Sequence, residues 1–428
     1  MNLPRPRLRS TLLFVLIAGA LGAGGWWFWE RSPWAAQRRL DAVVRDLKRW
    51  HLAEAAAELE QMRGVWNNLP AVYLLSARAE RLQDNPEAAD TFLQEFLRQG
   101  GAAEDHRREA AMLSVYRGHI DPAEGYLQHC IAEEHPDDFF AFDALVIGNG
   151  KTYRLTQAEH WLKRWRQRYP DAIPALLREG WLEERALHRA EAVACYERIL
   201  ALDPDNDVAR LRLAQVLLIR RQSNQALEHL LILQQHLPDN RYVLLALARC
   251  RLALGDAAKA AETSASLAER FPDDPDIVAL LGQLAMDQQQ WETAEKLLRR
   301  ARELQPFEIS PVSQLQQCLA IQGKVDEAKK CLAEVIELKA DFERVQSLVL
   351  DELPLAPRDP KLRCEAGDLL RRHGAYADAV RWYESALREN DNYAPAHTAL
   401  AECYEKTGRP DRAQEHRRKA EAKMKIDN

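Results

Sequence analysis

Three clusters in this 428-residue chain bring together residue types that could do chemistry. The first is GNGKT at 148–152, behind the strand-like run FFAFDALVI, where two glycines and the Lys151–Thr152 pair point to a loop that cradles phosphate. Such a loop needs a glycine at 145, where the chain has Leu145, and no later apolar run ends in an Asp suited to magnesium. A helix weakened by Gly148 and Gly150 accounts for the same residues and is the expectation. The second cluster is His106, His119, His129 and His135, with Cys130 nearby. No two of these imidazoles stand four residues apart on one helix face, and no H-E-x-x-H occurs, so turn and surface histidines are expected. The third is Cys318 and Cys331, which flank a helix–helix turn and would meet across a hairpin in an oxidising compartment; small buried thiols are the expectation. Acidic neighbours such as Glu183 and Glu184 diverge around a helix and read as solvated charges. No nucleophile elbow is present. The expectation is a chain that is not an enzyme, with no catalytic residues, no metal and no cofactor.

Composition narrows the class further. The 59 Lys+Arg against 65 Asp+Glu leave a net charge of -6, which gives a nucleic-acid partner no electrostatic support. With 47% apolar and 29% charged residues the chain has material for a large core, which excludes disorder as its main state. Seven Cys without a C-x-x-C pair exclude a disulfide scaffold, a zinc ribbon and a haem attachment site.

The elements that would position any site are set by a repeat. Prolines stand at 136, 170, 204, 238, 272 and 306, each 34 residues after the last, most of them followed by Asp or Asn. Small residues keep the same grid at Ala158, Ala192, Ala226, Ala260 and Ala294, twelve residues before a proline. Counting from the residue after each turn, these alanines fall at position 20. Gly180, Ala214, Ala248 and Gly282 fall at position 8, and Leu162, Tyr196, Leu230 and Leu298 fill position 24. Two antiparallel helices approach closely only where side chains are small, with large ones in the flanking grooves, and Pro stops the second helix. Gly367, Gly374, Ala379, Tyr383 and Ala386 repeat the pattern near the end of the chain. Helix–turn–helix units therefore tile 36–69, 70–103, 104–138, 139–172, 173–206, 207–240, 241–274, 275–308, 309–342, 360–393 and 394–427. The stretch 343–359 reads as one extra helix and a linker, and the polar tail as a capping end.

On these residues the chain resembles the tetratricopeptide repeat family, whose 34-residue unit carries small residues at 8, 20 and 27 and Pro at 32. The resemblance implies an all-α, right-handed α–α superhelical solenoid that binds protein partners rather than catalysing a reaction. It also implies that positions 2, 5, 6, 9, 12 and 13 of each first helix line a concave channel. On that register the candidate protein-binding residues are Arg178, Trp181, Arg185, Arg212, Gln215, Tyr242 and Arg249. Arginine pairs bidentately with carboxylates and aromatics bury area at low entropy cost, so an acidic polypeptide is the expected ligand. The family's chaperone-tail branch places Lys at position 5 and Asn at 9. Here those positions hold Leu177, Leu211 and Leu245, then Trp181, Gln215 and Arg249, so that clamp is absent.

Residues 1–10 form a basic tail, and residues 11–29 are uncharged over about 28 Å of helix, close to a bilayer's hydrocarbon thickness. Small residues at Ala18 and Ala20 also suit a cleaved signal peptide, but the apolar run continues into Trp26, Trp27, Phe28 and Trp29, which suit a headgroup boundary. One transmembrane signal anchor, with the repeats exoplasmic or periplasmic, is the expectation, and a membrane-anchored scaffold in envelope assembly or maintenance is the reading that follows. Three alternatives stay open. One is a cytosol-facing regulator, similar to a bacterial lipopolysaccharide-assembly family that has a span followed by repeats. That family ends in paired C-x-x-C, which this chain lacks. The others are a glycan or lipid carrier, and an enzyme with a hidden site.

Overall fold

The computed structural model describes residues 32–427, so the predicted basic tail at 1–10 and the anchor at 11–29 lie outside the described residues. Among the described residues no helix is long and apolar enough to cross a membrane. The same residues contain 22 α-helices and no strand, and the helices follow one another as antiparallel pairs. Two compact units are present: the first runs to Leu145 and includes 172–174, and the second comprises Val146–Asp171 and the chain from Ala175 onward.

The first unit contains α1 (Pro33–Arg49), α2 (Leu52–Val65), α3 (Pro70–Leu82), α4 (Pro86–Arg98), α5 (Ala103–Tyr116), α6 (Asp121–Ala132) and the start of α7 (Asp138–Lys151). The second continues through α8 (Leu155–Arg168), α9 (Ile173–Arg185), α10 (Arg189–Leu202), α11 (Asp207–Ile219), α12 (Ser223–His236), α13 (Arg241–Ala253) and α14 (Ala257–Arg270). It ends with α15 (Pro275–Asp287), α16 (Trp291–Leu304), α17 (Ile309–Ile321), α18 (Val325–Ser347), α19 (Pro360–Arg372), α20 (Tyr376–Glu389), α21 (Ala394–Lys406) and α22 (Pro410–Asp427).

The periodic PDN and PDD turns do more than stop a helix. Their third residue caps the next one: Asn206, Asn240 and Asp274 each accept a hydrogen bond from backbone N–H groups at the starts of α11, α13 and α15. Packing follows the small–large rule. A Cβ added at Gly180 would lie 2.7 Å from the Tyr196 ring, one at Gly282 2.8 Å from Leu298, and one at Gly367 2.7 Å from Tyr383. Position 8 is thus small because position 24 of the same hairpin fills the space, and the position-20 alanines from Ala158 to Ala294 are fully buried beside them.

GNGKT closes no phosphate loop. It lies at the end of α7, with the Thr152 hydroxyl donating to the carbonyls of Gly148 and Asn149. Gly150 has a packing role, since a Cβ there would lie 2.4 Å from the ring of Trp181. The stretch 343–359 holds no separate helix: its first residues extend α18 to Ser347, a π-helical turn follows at Leu348–Glu352, and a non-helical turn leads to Pro360. Cys318 and Cys331 are buried free thiols.

Candidate binding groove

In the second unit, the first helices α11, α13, α15 and α17 line a cleft of about 660 Å³. Its walls are residues of the same helix face in each repeat: Arg212 and Gln215 from α11, Tyr242, Ala246 and Arg249 from α13, Leu280 and Gln283 from α15, Ser310 and Gln314 from α17. The local sequence dictates this. Each first helix turns its apolar residues, such as Val243, Leu247 and Ala248, into the hairpin core and leaves the opposite face to the cleft. Arg212 is exposed and makes no hydrogen bond or ion pair among the described residues. Gln215, Gln283 and Gln314 are half-buried, and their amides make no hydrogen bond among the described residues. Arg249 is paired with Asp276 at 2.7 Å in an exposed setting. Glu184, at one end of the cleft, accepts the Tyr196 hydroxyl, and burial together with that carboxylate raises the Tyr196 pKa. At the N-cap of α17, outside the cleft lining, burial raises the Glu308 carboxyl above its ordinary range, and Asp276 adds to the rise. The cleft thus offers one unpaired guanidinium and a row of uncommitted amides, a set that can hold a carboxylate and the peptide groups of an extended chain.

The tetratricopeptide repeat model matches residues 188–250, 224–284, 251–317 and 370–416, which include the first helices α11, α13 and α15 of the cleft. Residues 188–317 and 370–416 are tetratricopeptide repeats. No curated protein matches it. Among solved structures it is similar to the human IFIT1 dimer with m7Gppp-AAAA, at 16% identity over 82% of this chain and 89% of that one, with a TM-score of 0.41. It is similar also to the APC/C hetero-tetramer Cut9-Hcn1, at 14% identity, 90% and 80% coverage and a TM-score of 0.38. A third is a tetratricopeptide repeat protein from Parabacteroides merdae, at 17% identity, 58% and 92% coverage and a TM-score of 0.31.

In this tetratricopeptide array the structure places four of the seven sequence-derived candidates in the cleft: Arg212, Gln215, Tyr242 and Arg249. Arg178 is half-buried and is not among the residues lining it. Trp181 and Arg185 belong to a different assembly. The Arg185 guanidinium lies 5.1 Å from the centre of the Trp181 ring and 4.7 Å from that of Tyr153. Tyr153 in turn stacks on Trp382 of α20 with centroids 4.0 Å apart and planes 13° from parallel.

This row belongs to a clasp that sequence reasoning missed. Tyr153 occupies the helix–helix turn slot filled elsewhere by Gly255 and Gly323, and it takes the same left-handed backbone, with φ of 59°. Next to it, Arg154 donates to both carboxylate oxygens of Glu389 at 3.1 and 2.6 Å. Glu389 also accepts from Arg363 at 3.1 Å. Arg363 and Arg388 are both held below the ordinary guanidinium range, first by burial and then by nearby positive charge that Glu389 only partly offsets. The bond from Arg154 to Glu389 joins residues 235 apart, so the second unit folds back on itself through α20. No local spacing announces such a contact.

The first unit holds a second missed feature, a buried ion network. Glu109 of α5 accepts from Arg78 at 2.9 Å and from Arg81 at 2.8 Å. Asp137 accepts from Arg78 at 2.8 Å and Arg108 at 3.1 Å. The Arg78 guanidinium also lies 4.4 Å from the centre of the Phe140 ring. Burial alone would raise the Asp137 carboxyl, but Arg78 and Arg108 outweigh it and hold its pKa at about 2. Its sequence signal was available: Arg at positions 9 and 12 of one repeat faces Glu at position 6 of the next. Among the described residues no group of three or more His, Cys, Asp or Glu is placed to hold a metal ion.

Proposed function

We propose that this chain is a non-catalytic scaffold whose second unit holds an extended, acidic stretch of a partner polypeptide in the cleft of α11, α13, α15 and α17. The observation that carries the reading is Arg212, a guanidinium at the cleft without an internal partner, flanked by uncommitted glutamines that recur with the repeat. A carboxylate arriving there gains a charge-assisted bond with no internal pair to break. Side-chain amides spaced along the helices match the donors and acceptors of an extended backbone. The protein-binding habit of tetratricopeptide repeats supports the same reading.

The proposal includes anchoring by residues 11–29, on their apolar run and aromatic flank, with the repeats on the exoplasmic side in envelope assembly or maintenance. Arg212→Glu tests the groove: capture of the partner from detergent-solubilised membranes is expected to fall about tenfold or more, with helical content unchanged. Undiminished capture contradicts the groove reading. A reporter fused after Asn428 and active only on one side of the membrane tests the orientation. Activity on the cytosolic side replaces the exoplasmic reading with the cytosol-facing one.

A further inference from the structure

Beside the cleft, the second unit contains a smaller cavity of about 300 Å³ with a different character. Its walls are Tyr153, Phe307, Phe342, Val345, Val349 and Trp382, so they are almost wholly apolar. Phe342 and Leu187 at this cavity are 42% and 44% exposed. It exists because the clasp brings the turn after α7 against α20, while the prolonged α18 and its π-helical turn supply the facing wall. The Arg185 guanidinium reaches it too, stacked along Trp181 and Tyr153, and its buried Nε has no hydrogen-bond acceptor. Glu184 lines this cavity and also the larger cleft, so a chain lying in the cleft passes its mouth. At the lower end of the roughly 300–1,000 Å³ range of small-molecule sites, the cavity fits one ring better than a whole ligand.

We infer that this cavity receives an aromatic side chain of the bound polypeptide, next to an acidic residue to which Arg185 donates, so the partner is read by an aromatic–acidic pair and not by charge alone. The inference rests on the groove reading and adds its specificity. An aromatic ring supplies large apolar area for little lost entropy, which is how a few anchors dominate an interface. The acidic neighbour follows from charge: the Arg185 Nε lacks an acceptor, and the adjacent Glu184 oxygen Oε1 already takes the Tyr196 hydroxyl.

The test uses the full chain in detergent micelles and three synthetic peptides: one of Asp, Ser and Gly with a single central Trp, its Trp→Ala counterpart, and its Asp→Asn counterpart. Fluorescence anisotropy of labelled peptides is expected to show the Trp peptide bound about tenfold or more tightly than the Ala peptide. The Asn peptide is expected to bind weakly. Gln346→Trp, which fills the cavity from its wall, is expected to erase the preference while leaving the Ala peptide's affinity unchanged. Phe342→Ala, which removes an apolar wall at an exposed position without adding charge, serves as a second variant, with loss of the Trp preference expected.

Equal binding of the Trp and Ala peptides by the unaltered chain overturns the cavity inference and leaves the groove reading standing. So does a Trp preference that survives both variants, or dodecanoate occupying the cavity without affecting the peptides. An Asn peptide as tight as the Trp peptide overturns the acidic contact. No binding of either acidic peptide overturns the groove reading, and the inference falls with it.

Discussion

Arginines on the same face of the first helix of a repeat have opposite fates in the two units. In the first, Arg78 and Arg81 occupy positions 9 and 12 of their repeat. They are buried against Glu109, with side-chain exposures of 3%, 0% and 1%. In the second, Arg212 and Arg249 occupy positions 6 and 9, stand exposed, and line an open cleft. The difference lies in the neighbouring repeat. Where position 6 of the next first helix is Glu109, the two charges close on each other and the face becomes interior. Where it is Ala246 or Leu280, that position offers no carboxylate and the face stays open, Arg212 without an ion pair and Arg249 with only its exposed pair to Asp276. One helix face is therefore closed as internal glue or left open at a cleft, according to complementarity between successive repeats.

The largest test of this contrast is Glu109→Ala, which takes the shared carboxylate from two buried guanidinium groups and leaves Arg81 with only the longer contact to Asp143 at 3.8 Å. It is expected to cost roughly 3–5 kcal/mol in chemical denaturation of the first unit. Arg212→Glu, by the same measurement, should leave stability essentially unchanged. A small loss for Glu109→Ala would break the comparison at its first term.

Acid sharpens it next. Because the folded Asp137 carboxyl sits at about 2 against an ordinary 3.8, its stabilising effect is complete above 3.8 and disappears as pH falls through about 2. The amount is about 2 kcal/mol, readable as a fall in denaturation midpoint that Asp137→Asn does not show.

The second unit has an earlier acid-sensitive point. His397 donates from Nε2 to the Asp391 carbonyl at 2.9 Å, so its Nδ1 accepts from His416 Nδ1 at 2.8 Å. Burial, reinforced by the facing His397, lowers the His416 pKa below 6.5. The fold thus favours the neutral ring: the stability is intact above 6.5 and declines as pH falls below that value, when the unfolded chain binds the proton first. Hydrogen-exchange protection factors in α22, corrected for the intrinsic pH dependence of amide exchange, are expected to fall between neutrality and pH 5.5 in the unaltered chain, and His416→Gln should flatten that dependence. The smallest effect is that of Arg249→Ala, whose exposed pair with Asp276 should contribute less than about 1 kcal/mol to stability.

The hairpins were legible because their determinants repeat locally: Pro and Asx at each turn, a small residue opposite a large one. Arg212, Gln215, Tyr242 and Arg249 were legible for the same reason, since a position within a repeat fixes the helix face. Trp181 and Arg185 had the right register but the wrong surroundings. Their neighbour Tyr153 is held by Trp382, more than two hundred residues away, and nothing in a 34-residue period encodes that closure. The two glycines of GNGKT looked chemical, yet Gly150 is small to admit the Trp181 ring. The extension of α18 through residues 343–347 was hidden because a break in the grid resembles a new element when the helix simply fails to stop.

The central claim is that the cleft, and not the outer wall, meets an acidic partner. Photo-crosslinkers placed at Gln283 in the cleft and at Ile336 on a second helix test it most directly in native membranes, with the attached segment sequenced by mass spectrometry. The account predicts an Asp- or Glu-rich segment joined at Gln283 and none at Ile336. The same product at both positions, or a basic segment at Gln283, would contradict it.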